Sequence, residues 1–319
     1  MLLKELFEKN KNIIINTDID GFLCGMILQK YYGCKVVGFS NSRDTIWVSP
    51  EINDIYSPIY IDIFVNNPDV ICIDQHIIAF NKQHHNKLVS YGTKINPNLD
   101  RERTFVGDMQ SDYFHKYPFG TVHYLITLMA KEGIEVELPD LYKNYNVKNF
   151  NINAGHIILR ADDALFSTLG TYRENALDWW QYLNQSNSKA IKDLMNFIET
   201  CDFNKNKEYK ENIATFFKLL GCDGIDGAFN TITDNHYILE KVVKYIRIIS
   251  KIMGMELTIP KYYFTYKGVY KIDKRNKISN MDDILNSDSL YSYAFIFGPF
   301  SKNSNFSYTV DMKMKQDLW

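Results

Sequence analysis

Short, almost unbroken apolar runs alternate with helical patterns through the first eighty residues of the chain. Four runs have this character, at residues 12–16, 34–39, 57–64 and 69–74. Strands of a parallel sheet are covered on both faces and therefore consist almost entirely of apolar residues. Alternation of such strands with helices is typical of βαβ units. The pattern predicts an α/β fold built on a doubly wound, mainly parallel sheet.

The helical patterns extend this prediction to about residue 200. The first helix is expected at residues 22–32, where Gly33 supplies a C-terminal cap. Further helices are expected at residues 121–131 and through most of 156–203. Between these, residues 81–116 are polar and show little periodicity, which we interpret as a functional excursion or a partly ordered lid.

The C-terminal part of the chain has a different character. Residues 237–255 form an amphipathic helical pattern, and alternating aromatic segments follow Pro260. We therefore expect a helical connector and then a smaller α+β domain. The predicted units are residues 1–200 for the α/β domain, 201–255 for the connector and 256–319 for the C-terminal domain.

The composition excludes several classes of protein. With 45% apolar and 23% charged residues, the chain is too hydrophobic for intrinsic disorder. No run approaches the ~20 apolar residues of a membrane helix, and the early acidic residues argue against a signal peptide. A net charge of −2 does not favour tight binding of long duplex DNA. The five cysteines show no Cys-x-x-Cys spacing, so we expect free thiols and a cytoplasmic location.

Acidic and amide side chains follow three of the predicted strands. They are Asn16, Asp18 and Asp20 after the first run, Asp62 in the third, and Asp74, Gln75 and His76 at the end of the fourth. A further pair, Asp162 and Asp163, lies in a helical run. Ligands of open parallel sheets bind beyond the carboxyl ends of the strands. Converging carboxylates repel one another, and Mg²⁺ or Mn²⁺ relieves that repulsion.

Each aspartate taken alone also has a simpler structural explanation. Asp-Gly after a strand is common turn chemistry, and Asp18 or Asp20 would serve equally as a cap for the helix that follows. Asp62 and Asp74 could cap later helices in the same way. The hypothesis of a metal site depends on three successive strands all ending in aspartate.

Four motifs in order resemble those of the DHH phosphoesterase superfamily, over about the first 185 residues. They are Asn16-Thr-Asp-Ile-Asp-Gly21, Ile61-Asp-Ile63, Ile73-Asp-Gln-His76 and Arg160-Ala-Asp-Asp163, with Phe119-Gly-Thr-Val122 resembling the start of the helix after the third. The most similar branch contains oligoribonucleases and cyclic-nucleotide phosphodiesterases. The resemblance implies a two-metal phosphodiesterase, with residues 1–200 as its catalytic domain and short oligonucleotides or cyclic (di)nucleotides as substrates.

The resemblance also implies roles for individual residues. Two divalent cations, Mn²⁺ or Mg²⁺, would be held by Asp18, Asp20, a bridging Asp62 and Asp162 (or, as the less favoured choice, Asp163), with Asn16 and Gln75 at the positions of two family histidines. His76 would contact the phosphate, and Asp74 would orient it. Apart from the resemblance, the positive charges of Arg160 and Lys302 make them the candidate substrate-binding residues, with Arg173 a further candidate.

Two departures from the family pattern support other hypotheses. Asn16 and Gln75 replace histidines with amides, and oxygen ligands suit Mg²⁺ better than Mn²⁺. The chain could instead be a catalytically degenerate relative that binds a nucleotide or a protein partner without hydrolysis. Hydrolysis of inorganic pyrophosphate is a third option, and a homodimer is compatible with the sequence. His84 and His85 are candidates for replacement ligands, although a solvated loop explains them more simply.

Overall fold

The protein is described from a computed structural model, which covers residues 2–107, 111–170, 172–274, 281–296 and 305–315. The predicted substrate-binding residue Lys302 lies outside these residues. The described chain combines a nine-stranded sheet with many helices, which confirms the α/β class. Among the residues described, no helix has both the length and the apolar character needed to cross a bilayer.

Within the described residues, nine strands form one mixed sheet and four others form two small hairpins. The strands are β1 (Asn12–Asn16), β2 (Lys35–Ser40), β3 (Thr45–Val48), β4 (Ile59–Ile61), β5 (Cys72–Ile73), β6 (Lys94–Ile95), β7 (Asn144–Val147), β8 (Phe150–Asn153), β9 (Thr233–Asp234), β10 (Tyr237–Ile238), β11 (Phe264–Lys274), β12 (Leu290–Phe295) and β13 (Asn305–Met314). The order across the large sheet is β12-β13-β11-β3-β2-β1-β4-β5-β6.

The large sheet has a parallel half and an antiparallel half. Strands β2, β1, β4, β5 and β6 run parallel, whereas β3, β11, β13 and β12 are each antiparallel to their neighbours. The sequence pattern did not predict β3, yet this strand joins the halves. It pairs with β2 through Gly38 and Val48, and with β11 through Trp47 and Thr265. The C-terminal strands thus continue the sheet that the N-terminal strands begin.

Along the sequence, most of the helices lie after the parallel strands and before the C-terminal strands. The helices are α1 (Leu3–Lys9), α2 (Ile19–Tyr32), α3 (Lys82–Ser90), α4 (Pro97–Asp100), α5 (Ser111–Phe114), α6 (Thr121–Lys131), α7 (Ala154–Ile158), α8 (Ala164–Thr168), α9 (Arg173–Asn184), α10 (Lys189–Glu199), α11 (Asn206–Leu219), α12 (Glu240–Met253) and α13 (Met281–Leu285).

The polar stretch at residues 81–116 has more regular structure than its lack of periodicity predicted. It contains α3, α4, α5 and the edge strand β6. Helix α3 begins because the side chain of Asn81 accepts a hydrogen bond from the backbone N–H of His84. Asn96 caps α4 in the same way, and Pro97 occupies its first position. These local caps account for helices that the apolar pattern does not show.

Burial on both faces explains the apolar character of the parallel strands. Ile13 and Ile15 belong to the main core, which includes residues of α2 and α6. Ile14 points to the other face, where Ile52 and Ile55 from the segment between β3 and β4 help to close a second core. Each isoleucine buried in this way stabilises the fold by about 1.5–3 kcal/mol.

Candidate metal centre

The register of the parallel strands brings polar residues to one edge of the sheet. Ile15 pairs with Ile61, and Ile61 pairs with Ile73. The next residue on each strand is polar, so that Asn16, Asp62 and Asp74 follow one another across this edge. This is the edge at which open α/β sheets bind ligands.

Asp62 is common to two groups of potential metal ligands. One group contains Asp62, Asp74 and His76, and the other contains Asp20, Asp62 and Asp162. Within each group the ligand atoms lie within 4.8 Å of one another. Asp62 is fully buried and has a left-handed backbone with φ of 61°, a conformation that aspartate tolerates better than most residues. The geometry gives Asp62 the position of a shared ligand.

Asn16 faces the carboxylates with its nitrogen and not with its oxygen. Its Nδ2 donates to Asp18 Oδ2 over 2.8 Å and to Asp62 Oδ2 over 2.9 Å. Its Oδ1 accepts the backbone N–H of Thr17 over 2.8 Å, a bond that exchanging the two amide atoms would destroy. In this arrangement Asn16 is a donor to the acids and not a ligand.

Asp18 lies outside both ligand groups and caps a helix. Its Oδ1 accepts the backbone N–H of Gly21 over 3.0 Å at the start of α2. A Cβ at Gly21 would lie 2.3 Å from the carbonyl oxygen of Asn16, so glycine is required in this tight turn. The capping explanation of Asp18 is therefore realised in the structure.

Asp20 binds the N-terminus of α6. Its two oxygens accept the backbone N–H groups of Thr121, over 2.6 Å, and Val122, over 2.8 Å. Gly120 precedes them, and a Cβ there would lie 2.8 Å from the Asp20 carboxyl carbon. The partial positive charge of the helix terminus stabilises the carboxylate. Thr121 also donates its hydroxyl to Asp62 Oδ1 over 2.8 Å, which ties α6 to both acids.

Of the acidic pair at residues 162 and 163, only Asp162 joins the carboxylate cluster. Its Oδ2 accepts the side-chain amide of Gln75 over 2.5 Å. Asp163 instead pairs with Arg160 over 2.5 Å and lies 3.7 Å from the ammonium of Lys210. Both aspartates have left-handed backbones, with φ of 45° and 60°, and this kinked turn separates their side chains. The predicted phosphate ligand Arg160 is thus already engaged with a carboxylate.

His76 and Asp74 form an ion pair at the end of β5. His76 Nδ1 lies 2.7 Å from Asp74 Oδ1, with the histidine side chain 34% exposed and the aspartate 1%. Asn96 also donates to Asp74 Oδ2, over 3.4 Å. Desolvation lowers the pKa of His76, but the Asp74 carboxylate outweighs it and, with Asp62 and Asp162, raises that pKa to about 10. His76 is therefore a cation at neutral pH in the metal-free protein.

The buried carboxylates resist ionisation when no cation is present. Burial raises the pKa values of Asp18, Asp20 and Asp62 well above their usual range, and repulsion within the cluster adds to the effect. Repulsion from Asp226, in the loop before Phe229, also raises the pKa of Asp18. Full ionisation of this cluster requires positive charge, which a divalent cation supplies.

Two cavities flank the cluster. A cavity of about 440 Å³ lies beside α5 and the start of α2 and is lined in part by Asp18, Asp20, Gln75 and Asp162. A cavity of about 240 Å³ lies against the C-terminal strands, where His76, Tyr293 and Tyr308 contribute to its wall. Lys116 and Ile296 line both cavities.

His84, His85, His123 and Arg173 belong to neither group of potential metal ligands. His84 Nδ1 accepts the backbone N–H of Phe80, and His85 bonds to the carbonyl of Leu99, so both have structural partners. His123 is buried among aromatic rings including Trp180. Arg173 begins α9 and lines a separate cavity.

Three residues near the cluster were not identified from the sequence. They are Thr121, Asp226 and Lys116. Asp226 belongs to a second Asp-Gly-rich segment, Asp223-Gly-Ile-Asp-Gly227, and its backbone carbonyl accepts the N–H of Ile19. That segment repeats the Asp-Ile-Asp-Gly composition of the first motif and was the available signal. Lys116 lies in a polar stretch and gives no comparable signal.

Comparison with known proteins adds no relative to these observations. No protein-family model, no curated protein and no solved structure matches the chain. The interpretation of the cluster therefore depends on its own geometry and on the four motifs.

Proposed function

We propose that the chain is a divalent-metal-dependent phosphodiesterase that hydrolyses short oligonucleotides or cyclic (di)nucleotides. The observation that carries this proposal is the position of Asp62, shared between two ligand groups at the carboxyl edge of the parallel strands. A carboxylate shared by two cations is the arrangement used in two-metal phosphoryl chemistry. The DHH-like order of the motifs supports the same assignment, with residues 1–200 as the catalytic unit.

The donor set fits hard divalent cations. Asp62 and Asp74 would hold one cation, and Asp20, Asp62 and Asp162 would hold the other. All of these donors are carboxylates, which favour Mg²⁺ and Mn²⁺. When bound, the cations would supply charge neutralisation and an activated water for attack on phosphorus.

The protein's own residues would bind and orient the phosphate. Asp74 holds the ring of His76 beside the cavity near the C-terminal strands, where the imidazolium can donate to a phosphate oxygen. Thr121 and the N-terminus of α6 hold Asp62 and Asp20 in place. The two cavities leave room for substrate on both sides of the scissile phosphate.

The second candidate function is binding without hydrolysis, and a specific observation favours it. The amide nitrogens of Asn16 and Gln75 donate to Asp18, Asp62 and Asp162. These hydrogen bonds relieve part of the carboxylate repulsion without a metal. In a catalytically degenerate relative that binds a nucleotide or a protein partner, these hydrogen bonds would stabilise the carboxylates without a metal.

A hydrolysis assay distinguishes the candidates. Purified protein is incubated with pApA, cyclic dinucleotides, short RNA or pyrophosphate, in Mg²⁺ or Mn²⁺. We expect nucleotide turnover that Asp62→Ala abolishes. Asp69→Asn is the matched control, because Asp69 is exposed and precedes β5 at the opposite edge of the sheet. Nucleotide binding without turnover in either metal would favour the degenerate relative, and turnover of pyrophosphate alone would favour the third hypothesis.

A further inference from the structure

Lys116 is the cationic side chain that the two cavities have in common. It lines the cavity that contains Asp20 and Asp162, and also the cavity that contains His76. It therefore lies beside both ligand groups.

The backbone around Lys116 is held by several hydrogen bonds. Its N–H donates to the carbonyl of Tyr113, and its own carbonyl accepts the side-chain amide of Asn175 over 2.9 Å. The next residue, Tyr117, donates its N–H to Asn98 over 2.7 Å. Because these hydrogen bonds fix the backbone before and after Lys116, the Cα of Lys116 has a defined position at the cavity wall.

The ammonium of Lys116 makes no ion pair with any other residue in the described part of the chain. Its Nζ lies 5.6 Å from the centroid of the Tyr113 ring. Burial lowers the pKa of this ammonium, and the charges of Asp162 and Asp163 partly oppose that effect. Arg160 differs, because its guanidinium already contacts Asp163. Arg160 and His76 are paired with carboxylates, whereas Lys116 is in contact with no carboxylate among the described residues.

We propose that Lys116 binds the phosphate of the substrate and positions it between the carboxylate cluster and His76. The proposal rests on the proposed function for the identity of the ligand, a phosphate ester of a nucleotide. Lys116 would thus have the substrate-binding role that the sequence predicted for Arg160. A lysine ammonium is a compact point charge with three donors, so it can follow the phosphate across the junction of the two cavities.

Binding of a product-like ligand tests the proposal without requiring turnover. The affinity of AMP is measured by calorimetry in Ca²⁺ or Mg²⁺ for the wild type, Lys116→Gln and Lys116→Arg. Loss of a charge-assisted hydrogen bond should weaken binding by about 10- to 100-fold in Lys116→Gln. Lys116→Arg should retain most of the affinity. Lys192→Gln is the matched control, because Lys192 is exposed on α10. Circular dichroism confirms that each variant is folded.

The outcomes separate this proposal from the proposed function. Suppose that the wild type hydrolyses nucleotides but that Lys116→Gln binds AMP normally and keeps its KM and kcat. The proposed role of Lys116 is then wrong, and the proposed phosphodiesterase function still stands. If AMP binding depends on Lys116 but no substrate is hydrolysed, the role of Lys116 holds in a binding protein. If folded wild-type protein neither binds AMP nor hydrolyses any of the nucleotides in either metal, both proposals are overturned; if it hydrolyses them without binding AMP, only the role of Lys116 in binding the phosphate is overturned.

Discussion

Asn16 donates its side-chain amide to Asp62 over 2.9 Å, so a neutral nitrogen lies where a cation could contact the shared carboxylate. The same nitrogen bonds to Asp18, while the amide oxygen is held by Thr17. A histidine at this position would offer an unprotonated ring nitrogen to a metal, whereas Asn16 in this orientation offers only N–H groups. This contact connects the family resemblance to a measurable property, the affinity for metal.

Introducing histidines at positions 16 and 75 should strengthen metal binding. In Asn16→His combined with Gln75→His, imidazole nitrogens replace amides that donate to Asp62 and Asp162. We expect Mn²⁺ affinity to rise by about 10-fold or more, since imidazole binds Mn²⁺ more strongly than an amide does. Calorimetric titration with Mn²⁺ measures this. Asn146→His, on the exposed hairpin β7–β8, controls for adding a histidine. An unchanged affinity in the double variant would show that neither position faces the metal.

The metal-free protein should lose stability as the pH rises. Folding raises the pKa values of Asp18, Asp20 and Asp62 above 3.8, so the folded state retains protons that the unfolded state releases. Their contribution is fully present below pH 3.8 and is lost as the pH rises through the raised values. Melting temperatures in a chelator, measured from about pH 4 to 8, should fall accordingly.

Divalent cations should reverse this loss of stability. The increase in melting temperature on adding about 10 mM Mg²⁺ should grow with pH, because protons and metal compete for the carboxylates. Asp62→Ala should show a smaller increase, and Asp69→Asn should behave as the wild type. An Mg²⁺ effect that is equal in Asp62→Ala and wild type would contradict the metal centre.

His76 should titrate far above the usual range for histidine. The adjacent Asp74 carboxylate raises the pKa of His76 to about 10 in the metal-free protein. Because this pKa is raised, the stabilisation is present below about pH 6.5 and is lost as the pH rises through about 10. An NMR titration of the ring signal measures the pKa, and Asp74→Asn should bring it down. A wild-type value near 6.5 would exclude a strong ion pair.

Gly120→Ala should disturb the contact between α6 and Asp20. The new Cβ would lie 2.6 Å from Ala161 Cβ and 2.8 Å from the Asp20 carboxyl carbon. We expect a loss of about 1–3 kcal/mol in the free energy of unfolding, from overpacking, and weaker Mg²⁺ binding. Gly92→Ala is the control, because its space is open and only its φ of 67° costs stability, about 1 kcal/mol. Equal metal affinity in Gly120→Ala and wild type would show that the contact between α6 and Asp20 does not affect metal binding.

Much of the parallel half of the sheet was predictable from local sequence. The apolar runs at β1, β2, β4 and β5 reflect burial on both faces of the sheet. This burial requires apolar residues in the strand, whichever residues cover it. Strand β3 was missed because its four residues lie in a short, mixed segment. The caps of α3 and α4 were missed because one asparagine suffices to begin each helix, and it does not alter the apolar pattern.

The sequence by itself determined the α/β class and the placement of aspartates after successive strands, because both follow from the order of residues along the chain. Only the tertiary structure decided which atoms of those residues meet. The orientation of the Asn16 amide depends on its contact with Asp62, and the place of Asp162 in the cluster depends on its contact with Gln75. The position of Lys116 at the cavity wall likewise depends on segments that are distant in the chain. The attachment of β11 to β3 likewise depends on a pairing across more than two hundred residues. Such contacts leave no periodic signal, since backbone hydrogen bonds and charges act through space and not along the sequence.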